Sequence, residues 1–137
     1  MGMGTFLDQR SSMNSNTIGA PNVPLSATPT LFGIIGLQTQ NAPNTVIALD
    51  GMVGISGEIG DTFTVDIVRG STFNPANIIF TLTGTVSVTG TTEVHSFTAQ
   101  DLLAPPAAET VYTAYISGTT TAVRNGPEVF RGIASTA

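Results

Sequence analysis

Side chains that could act as a base, a nucleophile or a metal ligand are scarce in this sequence of 137 residues. His95 is the only histidine and there is no cysteine, so disulfides, thiolate metal sites and thiol nucleophiles are excluded. A metal site on a jelly roll needs several histidines, and no serine lies in the G-x-S-x-G elbow of a Ser-His-Asp triad. We interpret His95 as a histidine of a strand or of an interface.

Four acidic residues, Asp50, Glu58, Asp61 and Asp66, fall within a span of 17 residues. A glycosidase would need two of them to converge across a cleft, and a calcium site would need about six oxygen ligands near one loop. Neither pattern is present in a diagnostic form. Solubilising charges on loops and outward strand faces are favoured, and the sequence predicts a non-catalytic protein without a cofactor or a metal.

Sugar binding on a β-sandwich commonly uses stacking on tryptophan or tyrosine. The chain has no tryptophan, and its two tyrosines, Tyr112 and Tyr115, are three residues apart. On a strand, that spacing directs them to opposite faces. The residues therefore disfavour a lectin-type sugar site, and a carbohydrate-binding module is kept only as the alternative.

The balance of charge is acidic, with four arginines, no lysine and nine acidic residues, giving a net charge of −5. Four arginines cannot build a basic phosphate-binding face, so no nucleic-acid partner is expected, and docking on anionic lipid is disfavoured for the same reason. No apolar stretch reaches the ~18–20 residues of a membrane-spanning helix. The N-terminal residues lack the basic and apolar regions of a Sec signal, so we expect export by another route.

From residue 30 onward, short apolar runs alternate with turn residues at the spacing of a sandwich or a barrel. The segment Thr62–Arg69 shows the clearest period of two, with Phe63, Val65 and Ile67 on one face. No segment shows a convincing helical period, so we predict an antiparallel all-β domain over residues 25–137. The predicted strands are Thr30–Gln38, Asn44–Ser56, Thr62–Arg69, Asn77–Val88, Glu93–Ala99, Glu109–Ser117, Thr119–Arg124 and Glu128–Ser135.

Residues 1–24 differ from the rest, because they are rich in Gly, Ser and Asn and lack hydrophobic periodicity. We interpret them as a flexible N-terminal arm outside the barrel, with Phe6 and Leu7 as its main apolar side chains. A disordered tail is the alternative.

Three segments resemble a known family: residues 23–37 (VPLSATPTLFGIIGL), 46–55 (VIALDGMVGI) and 126–134 (GPEVFRGIA). The family comprises small proteins of the outer spore surface in Bacillus-type bacteria, namely exosporium proteins and subunits of thin endospore appendages of the F-type fibre. The resemblance implies a jelly-roll sandwich of about eight strands, similar to complement and tumour necrosis factor. It also implies trimers that an N-terminal connector joins along a fibre.

The resemblance leads to the hypothesis of a self-assembling structural subunit on the spore surface, a homotrimer that stacks with further copies into a pilus-like fibre. Other spore-surface proteins are expected as further partners. A trimeric module that binds carbohydrate or protein is the alternative. Phe6 and Leu7 are the expected inter-subunit connector. The strand with large apolar groups on both faces is either central to the core or part of an interface, and we assign to the trimer interface Val111, Tyr112, Tyr115 and Ile116.

Overall fold

Residues 4–137 are described by a computed structural model in which 60% of the chain is strand and 2% is helix. Among these residues there is no helix long and apolar enough to cross a membrane. The elements in chain order are β1 (Phe6–Ser15), β2 (Val23–Pro24), β3 (Thr30–Leu37), β4 (Thr45–Ser56), β5 (Thr62–Arg69), a 3-10 turn (Pro75–Asn77), β6 (Ile78–Thr85), β7 (Glu93–Asp101), β8 (Thr110–Gly118) and β9 (Val123–Thr136).

The strands form two antiparallel sheets that pack face to face. In the β1 sheet the order is β1-β9-β4-β7, with the short β2 also paired to β9. In the β3 sheet the order is β3-β8-β5-β6. Most connections cross from one sheet to the other, whereas β5 and β6 form a hairpin within one sheet. The prediction of an antiparallel jelly-roll sandwich is confirmed.

Alternation along the strands explains why the core lies between the sheets. Phe63, Val65 and Ile67 of β5 are buried as the period of two predicts, and β4 buries Ile47 and Leu49 in the same way. The two inner faces meet in one continuous hydrophobic cluster. Such burial contributes about 25 cal/mol per Å² of apolar surface and is the main stabilising term of the fold.

The last strand differs from the prediction of two strands, Thr119–Arg124 and Glu128–Ser135, separated by a turn. Residues 123–136 form a single strand, in which the three residues Asn125–Pro127 lie opposite Gly54 of β4 as a bulge. Gly126 has a φ of 65°, and a Cβ on Gly54 would collide with its carbonyl oxygen. The Asn-Gly-Pro sequence bends the strand here without ending it.

The N-terminal segment also differs from the expectation of an arm outside the barrel. Residues 6–15 form β1, which pairs antiparallel with β9 along its length. None of its residues is fully buried, so backbone pairing holds it more than hydrophobic contact does. Side chains add specific ties, because Ser12 accepts a hydrogen bond from the backbone of Ile34 in β3, and Asp8 accepts one from the backbone of Gln38, directly after β3. Residues 1–3 lie outside the described part of the chain. The division at residue 24 and the connector role remain predictions.

Candidate functional site

The outer face of the β1 sheet combines one ion pair with apolar rows. At its centre, Nε of Arg131 in β9 lies 2.7 Å from Oδ1 of Asp50 in β4. Cross-strand neighbours share a face of the sheet, so the register places other side chains on either side of this pair. One row contains Met13, Val129 and Met52 and ends at Ser96, and the other contains Ile133 and Ala48 between Gln9 and Gln100.

Apart from the Arg131–Asp50 pair, the named side chains of this face are uncharged. Met13 and Ile133 are exposed, whereas Val129 and Met52 are half-buried. Apolar groups that remain contiguous at a surface commonly mark an interaction site. The outer face can therefore take part in subunit packing, with the Arg131–Asp50 pair as its polar centre.

The two ends of the sandwich also expose apolar side chains. The first pole contains the start of β1, the end of β9 and the loop that follows β7. There, Phe6 is 64% exposed and Leu103 is 83% exposed, with Leu102 beside it. The first pole thus offers apolar groups close to the N-terminal end of the described chain.

The second pole contains the turns that follow β1, β4 and β6. Ile59 lies in the turn after β4 and is 69% exposed, and Val88 and Ile18 are exposed at the same end. Because the two poles have different residues, contact between them on successive subunits would be head-to-tail. A head-to-tail contact continues into a filament when its rotation does not close a ring.

The structure corrects the reason for assigning Val111, Tyr112, Tyr115 and Ile116 to a trimer interface. All four lie on β8, which is a central strand between β3 and β5. Tyr112 (0% exposed) and Ile116 face the core, so the isolated subunit already buries the apolar surface that was taken to need a partner. Tyr115 is covered by Phe73, with ring centroids 5.1 Å apart.

Burial also removes the basis for sugar stacking on the tyrosines. Tyr112 and Tyr115 lie on opposite faces of β8, as the spacing predicts, and neither ring presents a face to solvent. An aromatic platform for a sugar is therefore not formed by these two residues.

The two expected connector residues have different environments. Phe6 projects into solvent at the first pole, whereas Leu7 is half-buried and packs against the core of its own subunit. In this conformation only Phe6 is available to a neighbouring subunit. The contribution of either side chain to a joint between subunits stays a prediction.

His95 lies on β7, and its ring stacks at a tilt on Phe63 with centroids 4.6 Å apart. Its Nε2 atom is buried and lies 3.4 Å from Oε1 of Glu93. Within residues 4–137, no group of three or more His, Asp or Glu side chains is placed to hold a metal ion. His95 thus packs as a side chain of β7, between Phe63 and Glu93.

The clustered acids are used in local structure. Asp61 accepts hydrogen bonds from the backbone of Glu58 and the hydroxyl of Thr121, and Asp66 accepts one from Thr81. Asp50 is occupied by Arg131. The carboxylates do not converge across a cleft as a glycosidase pair would.

The most extensive polar cluster lies between the sheets near the first pole. Nε and Nη2 of Arg69 each donate to one oxygen of Asp101, both at 2.7 Å. Asp101 also accepts from the hydroxyl of Tyr112 at 2.7 Å and from the backbone of Leu103 at 3.1 Å. Its carboxylate is buried and holds the guanidinium in one orientation.

Burial alone would raise the pKa of Asp101, but the hydrogen bonds from Arg69 and Tyr112 outweigh it, so the pKa lies below its ordinary value. The same contacts raise the pKa of Arg69 and, together with burial, that of Tyr112. At neutral pH the cluster is therefore an ion pair with a neutral tyrosine.

A second buried cluster joins β1 to β9. Glu128 is completely buried, and its carboxylate accepts hydrogen bonds from Nε and Nη2 of Arg124, each at 2.7 Å. Asn14 of β1 donates its side-chain amide to the same carboxylate at 2.7 Å. This bond ties the N-terminal strand to a buried carboxylate in the body of the subunit.

Asp101 and Glu128 were not among the predicted site residues, although the sequence contains a signal for both. Asp101 is in phase with Phe97 on β7, and Glu128 is in phase with Phe130 on β9. A period of two extended to these positions would have placed both carboxylates inside, where an acid requires a partner.

Acid should weaken the subunit through Asp101. Because its folded-state pKa is depressed, its contribution to stability is present above the unfolded pKa of about 3.9 and is lost as the pH falls through the folded value. We expect the free energy of unfolding in urea to decrease between about pH 5 and pH 2. Asp101→Asn should be less stable at neutral pH and should show a smaller decrease. An equal decrease in both proteins would contradict this role.

Comparisons with known proteins bear on the fold. No protein-family model and no curated protein matches the chain. Among solved structures, it is similar to latent dimeric PorU from Porphyromonas gingivalis (TM-score 0.54, 8% identity, 96% of this chain and 13% of PorU). It is similar to PRD1 vertex protein P5 (TM-score 0.50, 14% identity, 96% and 97% of the two chains). It also matches a Bacillus endospore appendage protein (TM-score 0.44, 17% identity, 99% and 91%).

At these identities the matches to PorU and to P5 show a shared fold alone. The chain corresponds to 13% of the length of PorU, so it spans only a small part of that protein. The comparisons indicate no enzyme family. The appendage protein is described as forming disulfide-linked pili, a linkage that the present chain cannot make because it has no cysteine.

Proposed function

We propose that the protein is a structural subunit that assembles with copies of itself on the surface of a bacterial spore. The observation that carries the proposal is the number of exposed apolar side chains, which are found on the outer face of the β1 sheet, at both poles and on β3. The two most buried ion pairs, Arg69–Asp101 and Arg124–Glu128, lie in contrast inside the subunit. The resemblance of three sequence segments to spore-surface proteins supports the location.

Within this assembly, lateral contacts between subunits form a homotrimer. A three-fold ring needs a heterologous contact, in which one patch of a subunit meets a different patch of the next. We place one of the two patches on the outer face of the β1 sheet, around Arg131 and Asp50, instead of on β8. The rows containing Met52 and Ile133 would lose their exposure to water there, which contributes about 25 cal/mol per Å².

The longitudinal contact joins the first pole of one subunit to the second pole of the next. Phe6, which is exposed at the first pole, would insert among apolar groups such as Ile59 and Val88 of the following subunit. Because the chain has no cysteine, this joint cannot be a disulfide. Three copies of the contact per trimer act together, so that a weak single contact can hold a fibre.

The experiment combines negative-stain microscopy with light scattering of the purified protein. We expect trimers that grow into fibres. Ile133→Glu places a charge in the outer face and should shift the scattering mass from trimer to monomer. Thr83→Glu adds the same charge to an exposed position of β6 in the other sheet and should leave the trimer unchanged. A wild-type monomer at micromolar concentration, or equal behaviour of both variants, would contradict the proposed interface.

A binding module is the second candidate, and one observation favours it. A cavity of about 580 Å³ lies beside the Arg69–Asp101 pair. This volume is within the range of sites for small molecules, about 300–1,000 Å³. Discrete trimers that bind a ligand and never form fibres would support this alternative over the structural role.

A further inference from the structure

The cavity beside Arg69 opens between β6 and β7, the edge strands at the open side of the sandwich. Its lining includes the apolar Ile78 and Ile79 and the polar Asn77 and Gln100. It is formed within a single subunit at the first pole, and Gln100, the cross-strand neighbour of Ala48, also borders the outer face of the β1 sheet. Apolar walls with a few converging polar groups are typical of sites for small molecules.

Arg69 gives this cavity a directed positive group. Asp101 occupies the Nε and Nη2 side of the planar guanidinium, which leaves the Nη1/Nη2 edge pointing away from Asp101. Asp101 already accepts four hydrogen bonds and is buried, so it presents no further acceptor to a ligand. The open edge of the fork matches the geometry of a second carboxylate, which it can bind through two parallel bonds.

We propose that this cavity binds a small amphipathic carboxylic acid, whose carboxylate meets the open edge of Arg69 and whose hydrocarbon chain lies along Ile78 and Ile79. The amides of Asn77 and Gln100 provide additional donors near the carboxylate. Asp101 and Tyr112 are positioning residues, because they fix the orientation of the guanidinium and do not contact the ligand.

The hydrocarbon chain of the ligand fits the apolar part of the cavity lining, Ile78 and Ile79. A bare anion would leave the isoleucine wall exposed to water, whereas an acid with a chain of several carbons buries it. Leu102 and Leu103 follow β7 at the rim and can extend this apolar surface. A carboxylate with a medium-length acyl chain thus satisfies both parts of the site.

The test is calorimetric titration of the full-length protein with octanoate, and with octanol as the probe that lacks a carboxylate. We expect saturable binding of octanoate, and octanol should bind about 10-fold or more weakly because it loses a charge-assisted pair of hydrogen bonds. Arg69→Lys keeps the charge but not the planar fork, and should also bind octanoate about 10-fold more weakly. Absence of saturable octanoate binding, or equal binding of octanol, would overturn the proposal.

Because Arg69→Lys could weaken octanoate binding simply by misfolding, a second variant blocks the cavity without changing the buried ion pair. Ala76→Phe places a ring in the cavity from an exposed position of the 3-10 turn and should abolish octanoate binding without lowering thermal stability. Ala27→Phe makes the same change at an exposed loop position outside the cavity and should bind like the wild type. Undiminished binding by Ala76→Phe would show that octanoate binds elsewhere and would refute the site.

Discussion

Replacing Arg124 by Met should lower the free energy of unfolding by about 3–5 kcal/mol, since the change leaves a buried carboxylate without its charged partner. Glu128 has no exposure to solvent, and each of its carboxylate oxygens accepts a hydrogen bond of 2.7 Å from the guanidinium of Arg124. Asn14 alone would then remain to stabilise the negative charge. Urea unfolding, followed by circular dichroism, measures the loss through the shift in the transition midpoint.

The matched control is the double variant Arg124→Met with Glu128→Leu. With both charges removed, no buried carboxylate is left unpaired, and the apolar replacements can pack with Val53 and Ile55, their partners on β4. Most of the stability lost in the single variant should therefore return. If the single variant costs less than about 1 kcal/mol, or the double variant is no more stable than the single one, the pair does not have this role.

Deletion of residues 1–15 should destabilise the subunit by about 2–4 kcal/mol, although the composition of this segment suggests a dispensable tail. The deletion removes β1 and so exposes the backbone edge of β9. It also takes away the amide of Asn14 from buried Glu128 and the packing of Leu7 on the core. The urea midpoint of the truncated chain relative to the full chain gives the measurement.

Phe6→Ser separates assembly from stability in the same segment. Phe6 is 64% exposed, so its replacement should change the free energy of unfolding by less than about 0.5 kcal/mol. Fibre growth seen by microscopy should nevertheless be lost, because the joint between poles loses its aromatic group. Normal fibres from Phe6→Ser, with unchanged stability, would show that the joint between subunits is formed by other loops.

For the deletion of residues 1–15, an unchanged urea midpoint would show that β1 does not stabilise the subunit.

Alternation alone determined the body of the fold. In β4 and β5 every side chain that the period of two directs inward is buried, because the inner face of a pleated strand in a two-layer sandwich meets the other sheet. Asp66 and Val68, on the other face of β5, are buried as well, which the alternation does not predict. The shortage of histidine, cysteine and basic residues likewise limited the possible functions without a structure. Local pattern was sufficient wherever hydrophobic burial along one strand decided the outcome.

Tertiary structure decided the features that depend on a partner distant in sequence. β1 is polar and forms because the edge of β9, more than 100 residues away, supplies its backbone hydrogen bonds. Glu128 finds Arg124 four residues away, but its second partner Asn14 is 114 residues distant, and Asp101 meets Arg69 from 32 residues away. Tyr112 and Ile116, which looked like an interface, instead complete the core because β8 is a central strand. Pairing across sheets and the desolvation of charge depend on which strands become neighbours, and no local window of the sequence contains that information.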